Sequence, residues 1–204
     1  MSKQYWWKDR AWRIVQTNLR EIDMADMNAE QYVRELQEFN ANTVIINTGG
    51  IAASYESNIP FHTRNRYLTG DSLKTVINAC KEAGIRVISR VDFSKVRAPL
   101  YEQHPEWAYV SPKGEIIDYH GLIHMCFNSD YQQKIALDII REIIRDINPD
   151  GLFLNSLYEL LYHLEANVCL EKCHLDFLQC SLYVRLRQAT LATQIFKYIL
   201  KLFR

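Results

Sequence analysis

Four apolar runs that each end on polar residues, alternating with amphipathic helical segments, constrain this chain more tightly than any other feature. The first run, "WRIVQTNL" (12–19), leaves on Asn18, Arg20, Glu21 and Asp23. Asn28 then stands where a helix cap belongs, ahead of "AEQYVRELQEF", whose Tyr32, Val33, Leu36 and Phe39 recur at helical spacing. The second run, "NTVIINTGG" (42–50), is read as a strand stopping at Asn47, with Gly49-Gly50 opening a long loop. Asp71 is placed to cap "SLKTVINACKEAG", with Leu73, Val76, Ile77 and Cys80 on one face and Gly84 as the stop. The third run, "IRVISRVD" (85–92), precedes a long excursion in which Pro112-Lys113-Gly114 predicts a hairpin turn. Asn128 or Ser129 caps the next helix, "DYQQKIALDIIREIIRDI", which Asn148-Pro149 ends, and "DGLFLN" (150–155) is the fourth strand.

Strand and helix in strict alternation, with the longer loops after the strands, imply a parallel sheet covered by helices. Such a sheet either opens into a doubly wound fold or closes into a barrel, and both place ligands at the C-terminal strand ends. That placement explains the oddest local feature, "RVISRVDFSK", where Arg90 and Asp92 sit in a run that otherwise reads as buried. Unpaired charges are costly in a core, so both are expected to surface at the strand end or to find partners. Asn18, Arg20, Asp23, Asn47, Arg90, Asp92 and Asn155 all fall at or just past such ends. Neither G-x-G-x-x-G nor G-x-x-x-x-G-K-[ST] occurs, which removes the main support for a nucleotide site.

Composition excludes other partners. Lys and Arg balance Asp and Glu at 24 each and are scattered, leaving no electrostatic footprint for nucleic acid or an anionic membrane. No window approaches the ~20 apolar residues that span a bilayer, and the N-terminus lacks the pattern of a secretory signal. A soluble, cytoplasmic protein with five reduced thiols is the expectation, Cys80 and Cys126 being small packing residues. No metal or other cofactor is expected. His120 and His124 are separated by a glycine turn, and C-x3-C-H-x5-C at Cys169, Cys173, His174 and Cys180 lacks the C-x2-C pair of structural zinc.

The segments "WRIVQTNLREID", "NTVIINTGGIAASYES", "AGIRVISRVDFSK", "HPEWAYVSPKGE", "HMCFNSDY" and "NPDGLFLN" follow one another from about residue 5 to 156. Together they resemble the hypothetical glycosyl hydrolase 6 family, a group of sugar-hydrolase-like (β/α)8 barrels. The resemblance implies a barrel fold and a glycan substrate. Most glycosidases use two carboxyl groups, about 5 Å apart when retaining and roughly 6.5–9.5 Å apart when inverting. Candidates are Asp92, Asp23, Glu21, Glu56 and Glu159. Asp92 is best placed, and Arg90, two residues earlier on the same strand face, is expected to hold it ionised. Related barrels end their fourth strand in a carboxylate, but this chain has Asn155 there, a sugar binder rather than an acid or nucleophile. Glu159 would supply a carboxyl one helical turn later. Asn18, Arg20, Asp23, Asn47, Arg90, Trp107, His124 and Asn155 are the expected substrate-binding residues, with Tyr55, His62, Arg64, Tyr67, Tyr109 and His120 in the same long loops. For Trp107, packing of the hairpin and stacking on a sugar both stand open.

After Asn155 the sequence changes to a stretch without glycine or proline, closing on the amphipathic "ATQIFKYILKLFR". The expected organisation is therefore the first half of a (β/α)8 barrel at 1–156, about four parallel strand-helix units, and a helical, divergent or truncated tail at 157–204. Half a barrel leaves sheet edges and apolar surface uncovered, so either the tail helices fold over it, with Leu191, Ile195, Tyr198, Ile199 and Leu202 as a stripe for the job, or a second copy or another chain covers it by association, or the product is unstable. Hydrolysis of O-glycosidic bonds in an oligosaccharide is the first functional reading. A non-catalytic carbohydrate-binding or interaction module, or an inactive gene fragment, is the alternative.

Overall fold

The computed structural model of the chain describes residues 11–111 and 114–156. The expected tail, with Glu159, Cys169, Cys173, His174, Cys180 and the Leu191–Leu202 stripe, lies outside the described residues. In chain order the strands are β1 (Ile14–Thr17), β2 (Thr43–Gly50), β3 (Arg86–Asp92), β4 (Lys95–Arg97), β5 (Asp118–Tyr119), β6 (Leu122–His124) and β7 (Gly151–Asn155). The α-helices are α1 (Ala29–Glu38), α2 (Ser72–Glu82), α3 (Ala98–Gln103) and α4 (Ala136–Glu142). The described residues fall into two units, one of residues 11–92 with Arg145–Asn155 and one of Phe93–Ile144 with Ser156.

The first unit is built on a parallel sheet in the order β1-β2-β3-β7. Neighbours follow chain order without reversal, which is the winding of a barrel; a doubly wound sheet reverses at its switch point. Alternation along the strands separates the two faces. Thr17, Ile46, Ser89 and Leu152 share one row of the register, and the Thr17 hydroxyl meets the Tyr32 hydroxyl of α1 at 2.7 Å, so this row faces the helices. Val44, Ile46, Val87, Ser89 and Val91 on that face are sealed. Burial there pushes the Tyr32 phenol up to about 12 and the Cys80 thiol up to about 11, leaving Cys80 an inert packing group. Ile45, Asn47, Ile88, Arg90, Asp92, Phe153 and Asn155 point the other way, and Phe153 is 38% exposed.

Local chemistry fixes the helix ends. The Asn28 side chain accepts the Gln31 N–H, as expected of an N-cap. Gly84 takes φ +75, with Ile85 N–H closing on Cys80 O, the C-terminal stop that its position predicts. Asp71 occupies the N-cap of α2 without a side-chain cap bond, contrary to expectation. The expected cap at Asn128 or Ser129 is also replaced. The helical stretch opens with Asp130 at its N-cap and a π-helical turn, Tyr131–Ile135, while Ser129 Oγ donates to Cys126 O.

β2 does not stop at Asn47. It continues to Gly50 through a bulge, the register moving from Asn47 opposite Arg90 to Gly49 opposite Val91 and Gly50 opposite Asp92. Two glycines permit this, because Gly50 has φ +107 and a Cβ there would lie 2.1 Å from Asp92 O. At the other end of the sheet, Asp150 bonds Val87 N–H at 2.9 Å and Arg86 Nη1 at 2.7 Å, and its own N–H donates to Val87 O. This clasp sets the register of β7 on β3.

In the second unit the expected hairpin is only part of a small antiparallel sheet, β4-β6-β5. Val110 bridges Ile116 around the turn, but the longer pairings run from β6 to β4 and β5. Buried Gln132 donates to Phe93 O at 2.5 Å, and Met125 N–H to Ser94 O, tying the strand exit to the later helix.

Two substitutions test these constraints by urea unfolding. Asp150→Ala is expected to cost roughly 1–3 kcal/mol, because it strips a backbone N–H of its charged acceptor, and Asp150→Asn less. Gly50→Ala is expected to cost on the order of 3 kcal/mol, summing left-handed strain and the clash with Asp92. A midpoint unchanged from the parent in either alanine variant would contradict the assigned role.

Candidate functional site

The C-terminal rim of the parallel sheet gathers the polar side chains into two rows of cross-strand partners. In the first row, Arg90 Nη1 donates to Asn47 Oδ1 at 2.7 Å, and Asn47 Nδ2 donates to Leu19 O at 2.6 Å. Asn47 therefore joins the exit of β1 to β3. In the second row, Asn155 Nδ2 donates to Asp92 Oδ2 at 2.7 Å. Both pairs are register partners, Asn47 with Arg90 and Asp92 with Asn155.

Arg90 is thus bonded to Asn47, not to Asp92 as expected. Strand geometry gives the reason: residues two apart along a strand stand ~6.7 Å from one another, whereas neighbours on adjacent strands stand ~4.8 Å apart. Cross-strand partners win. Arg90 Nε is buried with no hydrogen-bond partner among the described residues, so the guanidinium retains donor capacity beside the rim.

The other strand-end groups are engaged locally. Asn18 Oδ1 accepts from Gln16 Nε2 at 2.9 Å and remains exposed. Arg20 and Asp23 close the short 3-10 turn Glu21–Ala25, with Arg20 N–H on Asp23 Oδ2 at 2.6 Å and Arg20 Nη2 on Asp23 Oδ1 at 2.7 Å. The Arg20 hydrogen bonds hold the Asp23 carboxyl below its ordinary range. Glu56 is likewise lowered by its bond to Arg64, at 2.7 Å on the surface. Asp92 differs from both in being bonded by an amide on the neighbouring strand.

The long-loop aromatics and histidines are mostly enclosed. Tyr55 and His62 are 4% and 5% exposed, and the His62 ring bonds Gly50, Tyr55 and Ser57, among other partners. Trp107 and His124 belong to the second unit and are 8% and 9% exposed. Trp107 stacks on His104, three residues earlier, with ring centroids 3.8 Å apart. Tyr109 is buried too, while Tyr119 and His120 form an exposed edge-to-face pair. No group of three or more His, Cys, Asp or Glu side chains among the described residues is disposed to hold a metal. No helix among them is long and apolar enough to cross a membrane.

Asn65 escaped the reading of the sequence. It is fully buried, donates to Glu21 O at 3.0 Å and accepts Tyr67 N–H at 2.9 Å, and so fastens the loop after β2 to the exit of β1. Its only signal is an asparagine in a polar loop, which nothing in one sequence distinguishes from its neighbours.

No curated protein matches the chain. Among solved structures, alpha-L-fucosidase isoenzyme 2 from Paenibacillus thiaminolyticus superposes with a TM-score of 0.65 at 19% identity, over 82% of this chain and 27% of its own. A hypothetical protein from Ruminiclostridium thermocellum gives 0.57 at 17% identity, over 72% of this chain and 76% of its own. The alpha-galactosidase from Lactobacillus brevis gives 0.52 at 16% identity, over 88% and 25%. The chain thus spans about a quarter of the length of the two glycosidases. These likenesses place the four parallel strands and their helices as the first half of a (β/α)8 barrel of the kind found in glycoside hydrolases. A family match covers residues 28–156, from the cap of α1 to the end of β7 and so through both rows of rim residues, and on that match the chain belongs to the family described as hypothetical glycosyl hydrolase 6.

Proposed function

We propose that the rim of the parallel sheet binds a glycan and that the protein acts in hydrolysis of O-glycosidic bonds, with Asp92 as the reacting carboxylate. The observation that carries this reading is the Asp92–Asn155 pair. It fixes a carboxylate on the last residue of β3, in the central part of a sheet that belongs to a glycosidase-like family. An N–H donor favours the ionised carboxylate over the acid. Asp92 is therefore suited to serve as nucleophile or electrostatic stabiliser, and not as the proton donor. Arg90, Asn47, Asn155 and the exposed Asn18 are the groups available to orient sugar hydroxyls, Arg90 through the donors left beyond its bond to Asn47.

A second reading is a carbohydrate-binding module without catalysis. It is favoured by Asn155 itself, an amide where a second carboxyl would sit, and by the pairing of Asp23 and Glu56 with arginines. Glu159 remains the candidate for the acid.

A panel of aryl glycosides, offered to the full chain and to Asp92→Asn, tests the proposal. Hydrolysis by the parent is expected to fall at least 10³-fold in the variant, with sugar affinity changed no more than a few-fold. Unaltered turnover in Asp92→Asn would remove Asp92 from the mechanism. Sugar binding without turnover in the parent would support the module, and neither binding nor turnover would overturn both.

A further inference from the structure

We propose that His62 is a positioning residue for Asp92, acting through the backbone of Gly50 as a neutral imidazole protonated on Nδ1. The catalytic consequence rests on the function proposed for Asp92, but the structural linkage does not. His62 is 5% exposed, and its Nε2 accepts the Gly50 N–H at 3.1 Å. A ring nitrogen that accepts carries no proton, so the proton of the neutral ring lies on Nδ1. There the Ser57 hydroxyl at 3.2 Å and the Tyr55 hydroxyl at 3.4 Å can receive it. Tyr55 also meets the ring edge-on, centroids 5.7 Å apart and planes at 65°.

Gly50 carries the linkage to the rim. It is the register partner of Asp92 and sits at φ +107, with the space of its missing Cβ filled by Asp92 backbone atoms at 2.1 to 2.5 Å. No slack separates the two backbones. A shift of the β2 end is thus passed to the residue that bears the carboxylate, and the Asn155 bond constrains that residue from the other side. The loop is built to deliver the imidazole: Ala53 N–H bonds Thr63 O at 2.7 Å and Asn65 N–H bonds Ala53 O at 2.8 Å, folding residue 62 back onto its own strand. An apolar side chain at 62 would fill the same volume but leave the buried Gly50 amide without this acceptor.

The tautomer is read by long-range 1H–15N correlation on protein labelled in histidine, and the linkage by the side-chain 13C carboxyl resonance of Asp92, assigned with Asp92→Asn. His62 is expected to show a protonated Nδ1 and an unprotonated Nε2. His62→Phe, which keeps the ring and loses the acceptor, is expected to move the Asp92 resonance and its titration midpoint. His62→Gln, whose amide oxygen can replace Nε2, is expected to return both toward the parent. Where the parent hydrolyses a glycoside, kcat is expected to fall about tenfold in His62→Phe with KM within twofold, and to recover in His62→Gln. A proton on Nε2, or an Asp92 titration identical in parent and folded His62→Phe, would overturn the proposal. Should His62→Phe fail to fold, the tautomer and the comparison of parent with His62→Gln decide it. A parent that neither binds nor hydrolyses sugars would defeat the proposed function while leaving the NMR result on His62 to stand or fall by itself.

Discussion

The register of β3 against its two neighbours is the constraint on which the rest of the first unit depends. A parallel strand shifted by one residue turns every side chain to the opposite face, so a slip would bury Arg90 and Asp92 under the helices and expose Val87 and Val91. Two devices of different chemistry hold the register. On the β7 side, the Asp150 carboxylate bonds Val87 N–H and Arg86 before the strand begins. On the β2 side, the last residues are locked by steric closeness, because only a glycine at 50 leaves room for the Asp92 backbone. One is an anchor at the N-terminal edge and the other a fit at the C-terminal edge. The helix-facing side adds a buried hydroxyl pair, Thr48 with Ser89 at 2.9 Å, which satisfies two polar groups that the core would otherwise penalise.

Asn47, Arg90, Asp92 and Asn155 are tolerated at the rim because each finds a cross-strand partner. Asn47 uses both ends of its amide, accepting from Arg90 and donating to Leu19 O, while Asn155 spends a donor on Asp92. Amides suit this position since they join a cation, a carbonyl and a carboxylate without adding charge. The charged pairs Arg20–Asp23 and Arg64–Glu56 lie on the surface instead, where solvent screening leaves them little energetic weight. Their value is local shape: one closes a 3-10 turn, the other holds a loop.

Much of this was legible in the sequence. Long apolar runs and helical periodicity identified the four parallel strands and α1 and α2, because burial imposes those patterns directly. Asn28 and Gly84 were legible for a similar reason, their chemistry acting within four residues of the chain. The end of β2 was not. Gly49-Gly50 reads as a loop opening, and whether two glycines open a loop or admit a bulge depends on the backbone of a strand some forty residues later. The partner of Arg90 was misread for the same cause, since proximity along one strand was weighed above proximity across two. His62, legible only as one of several polar and aromatic residues in a long loop, is turned inward, where its Nε2 accepts from an amide twelve residues away in a left-handed conformation. The Asp71 and Asn128/Ser129 caps failed more simply: residue type makes a cap available, but the entering backbone decides whether the side chain can reach the exposed N–H groups.

Asn155 then becomes informative about chemistry. Two carboxylates separated by a hydrogen-bond distance cannot both be ionised and must share a proton, which would make their roles interchangeable. An amide at 2.7 Å removes that ambiguity. It leaves a single carboxyl group in this row, at the end of β3, and aims an amide donor at it. Preorganised partners of this kind act where charge develops during reaction and require no rearrangement at that moment. The amide therefore does not merely subtract a catalytic group from the rim. On the proposed reading, Asp92 takes the anionic role and the proton donor has to be another residue.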